Sequence, residues 1–286
     1  MRDGRFRGVR ITRRVVANPH FVIRAVECTD DHARWSPPET TSAAQMVLVR
    51  RGRFQLDSHG RRVTVDPTTG YLHPPGHETR FAHPAGGDMC TSITLPGDAL
   101  MAGVEAARPL AVRVDARLEL AHRTLLRTDA DPAFAGVEAV VDLLRLALRR
   151  QPEETPAPGR HDLADRARDA MLADERGGTS LVALAHLLET SPSHLSRTFR
   201  HHEGMTISRY RNRVRISRAL QRIDEGETNL ASLTFALGFS DQAHFTRTMQ
   251  RELGHTPGRV RALLTVNVET STAQSRASRT ARSRSA

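Results

Sequence analysis

The chain has 286 residues, enough for two domains with separate cores, and its formal net charge of +10 is carried without lysine: all 42 basic residues are arginine. No run of about 18 apolar residues is present, which excludes an ordinary transmembrane helix, and the basic start MRDGRFRGVRITRRVV lacks the apolar stretch and cleavage site of a secretory signal, so a cytoplasmic location is expected. Two cysteines, Cys28 and Cys90, are too few for a four-thiolate zinc site and read as reduced, small, buried residues.

Residues 1–45 show little periodicity apart from FVIRAV at 21–26, which reads as a strand. MVLVRRGRFQLD at 46–57 reads as two β segments around an Arg-Arg-Gly turn, with Gly52 supplying the permissive backbone. Residues 63–65 continue the pattern, Asp66-Pro67 and Gly70 mark a turn before 71–73, and Pro74-Pro75-Gly76 breaks the chain again. Residues 79–82 and 90–95 read as further strands. Short strands punctuated by Gly and Pro predict a small antiparallel barrel or sandwich.

From Asp115 the period becomes helical, with Leu118, Leu120, Leu125 and Leu126, and a second helix is predicted from an Asp131 cap and Pro132. Its stripe of Val137, Val140, Val141, Leu144 and Leu148 suits packing on its own domain, with a partner helix in a homodimer as the alternative. QPEETPAPGR at 151–160 has no apolar pattern and reads as a linker. Residues 265–286, rich in Ser, Thr, Ala and Arg, read as a disordered basic tail.

The segment between is duplicated. SHLSRTFRHHEGMTISRYR at 193–211 and AHFTRTMQRELGHTPGRVR at 243–261 share seven of 19 positions at an offset of 50, His194/His244, Arg197/Arg247 and Gly204/Gly254 among them. Two copies are too few for a solenoid and imply one module used twice. In each copy a short helix, a turn and a capped second helix are predicted: Ser180 and Ser191-Pro192 start the two helices of the first, and Ser240 or Asp241 caps the second helix of the other. Gly204 suits a helix end. Leu195 and Phe199 point inward, as do Phe245 and Met249, leaving polar outward stripes. That is the helix-turn-helix layout, whose second helix fits the DNA major groove. A helix from Thr206 to about Ile223 ties the copies together, and Thr256-Pro257 starts a last one. Before each second helix the offset falls to 49, so the second turn is one residue longer. Residues 193–222 hold eight arginines against one acid, Glu203, the charge footprint of a nucleic-acid binder.

LGFSDQAHFTRTMQRELGHTPGRVR at 237–261, with LAHLLETSPSHLSRTFR before it, resembles the DNA-binding domain of the AraC/XylS family of bacterial transcription regulators over residues 180–264. The pattern departs from the family at Thr234 (usually alanine), Glu189 (usually glycine) and Val260 (often aromatic). The resemblance implies base contacts by Ser193, Ser196, Arg197, Gln242, His244 and Arg247. Arg pairs bidentately with guanine and Gln with adenine, each worth about 1–3 kcal/mol of discrimination. Arg200, Arg211 and Arg218 suit phosphates, and Arg215 a structural role.

VLVRRGRFQLDSHGRRVTVDPTTGYLHPPGHETRFAHP at 47–84 is similar to the cupin-like sensor domain of such regulators, which receives a ligand or mediates dimerisation. His73, His77, Glu78 and His83 raise a metal site, but the usual His-x-His spacing is missing, and loop histidines are the expectation. Trp35 reads as core, with a pocket wall as the alternative.

The chain is therefore expected to be an α+β protein of two domains. A cupin-like β-barrel with helices spans 1–150, the linker 151–160, an all-α double helix-turn-helix domain 161–264 and the tail 265–286. The expected function is an activator that binds double-stranded DNA, answers a small-molecule effector and meets RNA polymerase, with no catalytic group, metal, cofactor or membrane partner. A metal-dependent cupin-type enzyme fused to a DNA-binding module and a nonspecific DNA-coating protein are the competing readings.

Overall fold

The computed structural model describes residues 10–17, 19–29, 31, 33–95, 110–127, 135–148, 162–174 and 180–265. The linker at 151–160, the Asp131-Pro132 helix start and the tail from 266 onward lie outside the described residues.

Among the described residues, nine strands build the first domain: β1 (Arg10–Ala17), β2 (Val22–Cys28), β3 (Ala44–Arg51), β4 (Phe54–Ser58), β5 (Arg61–Val65), β6 (Thr69–His73), β7 (Arg80–Ala82), β8 (Asp88–Leu95) and β9 (Leu110–Arg113). They form a six-stranded sheet in the order β1-β2-β8-β3-β6-β9 and a three-stranded sheet in the order β5-β4-β7. Every pairing is antiparallel. The expected antiparallel fold is present, but among the described residues the sheets are not closed into a barrel. The chain crosses from β3 to β4 through Gly52 (φ 79°), where an added Cβ would lie 2.4 Å from the Gly87 carbonyl oxygen. That crossing starts a second sheet instead of continuing the first.

Central strand β3 is buried on both faces, because successive side chains point opposite ways. Val47 and Val49 join Phe54, Leu56, Val65, Tyr71, Phe81 and Cys90 between the sheets. Met46 and Leu48 face the other side, under two helices, α1 (Ala116–Leu125) and α2 (Ala135–Leu148). Val140, Leu143, Leu144 and Ala147 of α2 are buried there, so the helix packs on its own domain. Trp35 is half-buried outside both clusters, with the Arg62 guanidinium 5.3 Å from its ring centroid.

Among the described residues, seven helices follow: α3 (Asp162–Ala173), α4 (Leu181–Leu187), α5 (Pro192–Glu203), α6 (Ile207–Asp224), α7 (Leu230–Ala236), α8 (Gln242–Leu253) and α9 (Pro257–Thr265). Their starts follow local chemistry. Ser180, Ser191, Thr206, Asn229 and Asp241 each accept a backbone N–H of the first turn, an interaction worth about 1 kcal/mol. Gly204 (φ 65°) and Gly254 (φ 77°) end α5 and α8 in the left-handed region. One core gathers α3–α6 and a second gathers α6–α9. Ala116 and Leu120 of α1 enter the second, which joins the two domains through apolar contact.

Thr234 is fully buried and its hydroxyl donates to the Leu230 carbonyl at 2.8 Å, so the polar group is satisfied where the family has alanine. Leu187 and Phe235, on the apolar pattern of the short helices, are instead 61% and 68% exposed. A seven-residue helix buries one narrow stripe, here Leu184 and Ala185 in α4, and Leu233 and Thr234 in α7.

Glu189 is left-handed at φ 53°, in the place that Gly238 (φ 73°) takes in the second turn. A side chain there costs about 1–2 kcal/mol, partly offset by the lower chain entropy of glutamate when unfolded. Glu189→Gly is therefore expected to raise stability by about 0.5–1 kcal/mol in urea titrations. An unchanged or lower midpoint would show that the turn carries no strain.

Candidate nucleic-acid interface

The second helices of the two units, α5 and α8, are anchored on their inner faces and open on their outer ones. Leu195, Phe199, Phe245 and Met249 are completely buried. On α5, Ser193, Arg197 and Arg200 are exposed, and their spacing of four and three residues puts them on one face. At the offset of 50, α8 presents Ala243, Arg247 and Gln250, also exposed. Arg197 and Arg247 form no salt bridge among the described residues. Ser196 is half-buried beside this face, and Gln242 is exposed at the start of α8.

The turns differ as their lengths imply. Two residues separate Leu188 from the Ser191 cap, and three separate Leu237 from the Asp241 cap. The longer turn carries Phe239, buried against Phe245 at 5.1 Å between centroids. His244 is half-buried, its ring edge-on to Phe239 at 5.3 Å and Nδ1 3.2 Å from the Ser240 hydroxyl. The backbone N–H of His244, and then the Ser240 hydroxyl, hold the exposed Asp241 carboxyl below its ordinary pKa. Arg215 also reaches this turn, with its guanidinium 5.5 Å from the Phe239 ring centroid.

The basic stripe of α6 divides by direction. Nε and Nη2 of Arg211 are buried without a hydrogen-bond partner, and burial, then the neighbouring Arg215, lowers its pKa. Arg218 faces inward and donates to the carbonyls of Met171, Leu172 and Asp174 at the end of α3. It satisfies carbonyls that a helix end leaves unpaired, which removes it from the phosphate contacts expected of it.

Arg213, buried at 5% exposure, reaches the other domain. It meets Glu119 at 2.7 Å and the carbonyls of Val114 (3.0 Å) and Pro67 (2.9 Å). Glu119 is fully buried and also accepts from Arg123 at 2.9 Å and Ser217 at 2.9 Å. Arg123 continues to Asp224 at 3.2 Å, where Arg127 joins it. Further along, Arg168 pairs with Asp66, and Thr68 shares a 3.1 Å hydrogen bond with Tyr210. Sequence reasoning missed this interface; its one signal is the number of arginines in a helix that must also bury Tyr210, Val214 and Leu220.

Beside these contacts lies a cavity of about 510 Å³. Thr64, Thr69 and Arg113 line it from the sheets, Asp165 and Arg166 from α3, and Arg209 from α6.

His73, expected in a loop, is instead buried at the end of β6, with Nε2 2.9 Å from the His77 carbonyl oxygen, and Glu78 is exposed. His83 lies apart from both, with Nε2 3.0 Å from Asp88. No described helix is long and apolar enough to cross a membrane.

The family model described as a helix-turn-helix domain matches residues 184–262. Over 80 residues the chain is 33% identical to the HTH-type transcriptional regulator GlxA of Rhizobium meliloti, covering 28% of this chain and 25% of that one. Over 138 residues it is 27% identical to the HTH-type transcriptional activator RhaS of Pectobacterium carotovorum, covering 48% of this chain and 50% of that one. The chain thus spans half or less of the length of these curated relatives. ToxT from Vibrio cholerae aligns with a TM-score of 0.38 and 11% identity, over 87% of this chain and 100% of that one. With two capped helix-turn-helix units tied by α6 and a family match across both, residues 184–262 are a helix-turn-helix domain.

Proposed function

We propose that the chain is a sequence-specific DNA-binding transcription regulator that inserts α5 and α8 into successive major grooves. The observation that carries this reading is the matched exposure of Arg197 and Arg247 on two capped, duplicated helices, with no salt bridge to either among the described residues. Ser193, Ser196 and Arg197 address bases in one groove, and Gln242, His244 and Arg247 in the other. Arg200 and Arg211 neutralise phosphates, adding affinity without sequence information. Because Ser193 is replaced by Ala243 and Pro192 by Gln242, the two half-sites differ and the operator is asymmetric.

The inter-domain cavity, whose wall carries Arg113, Arg166 and Arg209 beside Asp115, Asp165 and Asp169, is the place for a small effector. A ligand there touches both domains and can bias their docking, which is how binding in the first domain alters DNA affinity. Activation through RNA polymerase in the cytoplasm, with or without a homodimer, completes the proposal.

Selection of bound fragments from a genomic library, followed by footprinting, tests it. The expected result is a preferred asymmetric site protected over two successive major grooves. Binding with steep salt dependence and no preferred sequence would instead establish a nonspecific coating protein.

A further inference from the structure

The register of β2 against β8 sets Cys28 directly opposite Asp88, and directly paired residues project to the same face of a sheet. His83 stands ahead of the turn that leads into β8 and brings Nε2 to 3.0 Å from Asp88 Oδ1. One donor atom from each of Cys28, His83 and Asp88 lies within 4.8 Å of the others, and all three residues are buried. Sulfur, imidazole nitrogen and carboxylate oxygen together form a zinc-type donor set, unlike the all-oxygen sets that magnesium and calcium take. On one zinc ion such atoms stand about 3.5 Å apart, so closing the cluster takes movements of about 1 Å.

The surroundings hold the three groups in place. The Cys90 thiol donates to Asp88 Oδ2 at 2.7 Å, which orients the carboxylate from behind as outer partners of metal ligands do. The turn between His83 and Asp88 needs glycine: Gly86 has φ 88°, and a Cβ on Gly87 would lie 2.3 Å from the Cys28 carbonyl oxygen. A thiolate and a carboxylate buried together suit a doubly charged cation, which neutralises both.

We propose that Cys28, His83 and Asp88 form a binding site for a zinc-class divalent metal ion that pins the His83 turn to the β2–β8 pair, with Cys90 as an outer partner. This site is separate from the DNA-reading helices and from His73, His77 and Glu78.

The test uses the full chain, purified reduced, stripped with a chelator and titrated with cobalt(II) and zinc(II). The expected result is one ion per chain, a thiolate-to-cobalt charge-transfer band, and a zinc-dependent rise of several degrees in the wild-type melting temperature. Cys28→Ser and His83→Ala abolish the band. Cys90→Ser keeps it with about 10-fold to 100-fold weaker affinity, and His73→Ala leaves it unchanged. No band and no zinc-dependent melting shift in the folded wild type overturn the proposal, whatever the variants do. A band that survives Cys28→Ser overturns the assignment of the sulfur ligand.

Discussion

Replacing Glu119 with alanine is expected to destabilise the chain by about 3–5 kcal/mol, the usual cost of removing one partner from a buried charge cluster. The carboxylate is fully buried between Arg213 and Arg123 and accepts a further hydrogen bond from Ser217. Removing it leaves two buried guanidinium groups close together without the charge that separates them. Arg123 keeps Asp224 and Arg213 keeps two carbonyls, so the loss stays within that range. Glu119→Gln preserves the shape and should cost less than the alanine variant. Urea titration followed by far-UV circular dichroism measures both. Because Glu119 lies on α1 while Arg213 and Ser217 lie on α6, weakened coupling is expected to split one transition into two. A loss below about 1 kcal/mol with a single transition would place the cluster among weak surface pairs.

Arg247→Ala and Arg197→Ala are expected each to cost about 1–3 kcal/mol at the cognate site and to relax base preference locally. The side chains are exposed on anchored helices, so their removal should leave folding and melting temperature unchanged. Arg200→Ala should weaken binding to all sequences alike and lower the salt slope by about 1. Titration of cognate and scrambled duplexes at several salt concentrations separates the two behaviours. If Arg197→Ala and Arg247→Ala both retain full affinity and preference, the recognition-helix assignment fails.

Much of the second domain is legible because its signals are local. Ser191-Pro192, Thr206, Asp241, Gly204 and Gly254 act within one helical turn, and the caps and left-handed glycines stand where those residues predict. The extra residue in the second turn is visible from the offset alone. The strands at 21–26, 46–57, 71–73 and 90–95 are legible for the same reason, through alternation and turn residues. β1 and β9 are edge strands, and RITRRVVA and LAVR carry little of the alternation that one-sided burial imposes. α3 follows the proline-rich linker and has few large apolar residues, so its pattern is faint.

The sequence by itself determined the double helix-turn-helix, its caps and the outward placement of Arg197 and Arg247, because each depends on residues a few positions apart. Only the tertiary structure decided which arginines of α6 turn inward. Direction around a helix is periodic, but the acids and carbonyls that receive Arg213 and Arg218 come from distant elements. It also decided that the described strands divide into two sheets and that Cys28 meets Asp88 and His83. Strand register sets that meeting, and register follows from the burial of whole sheet faces, which no short stretch of sequence contains.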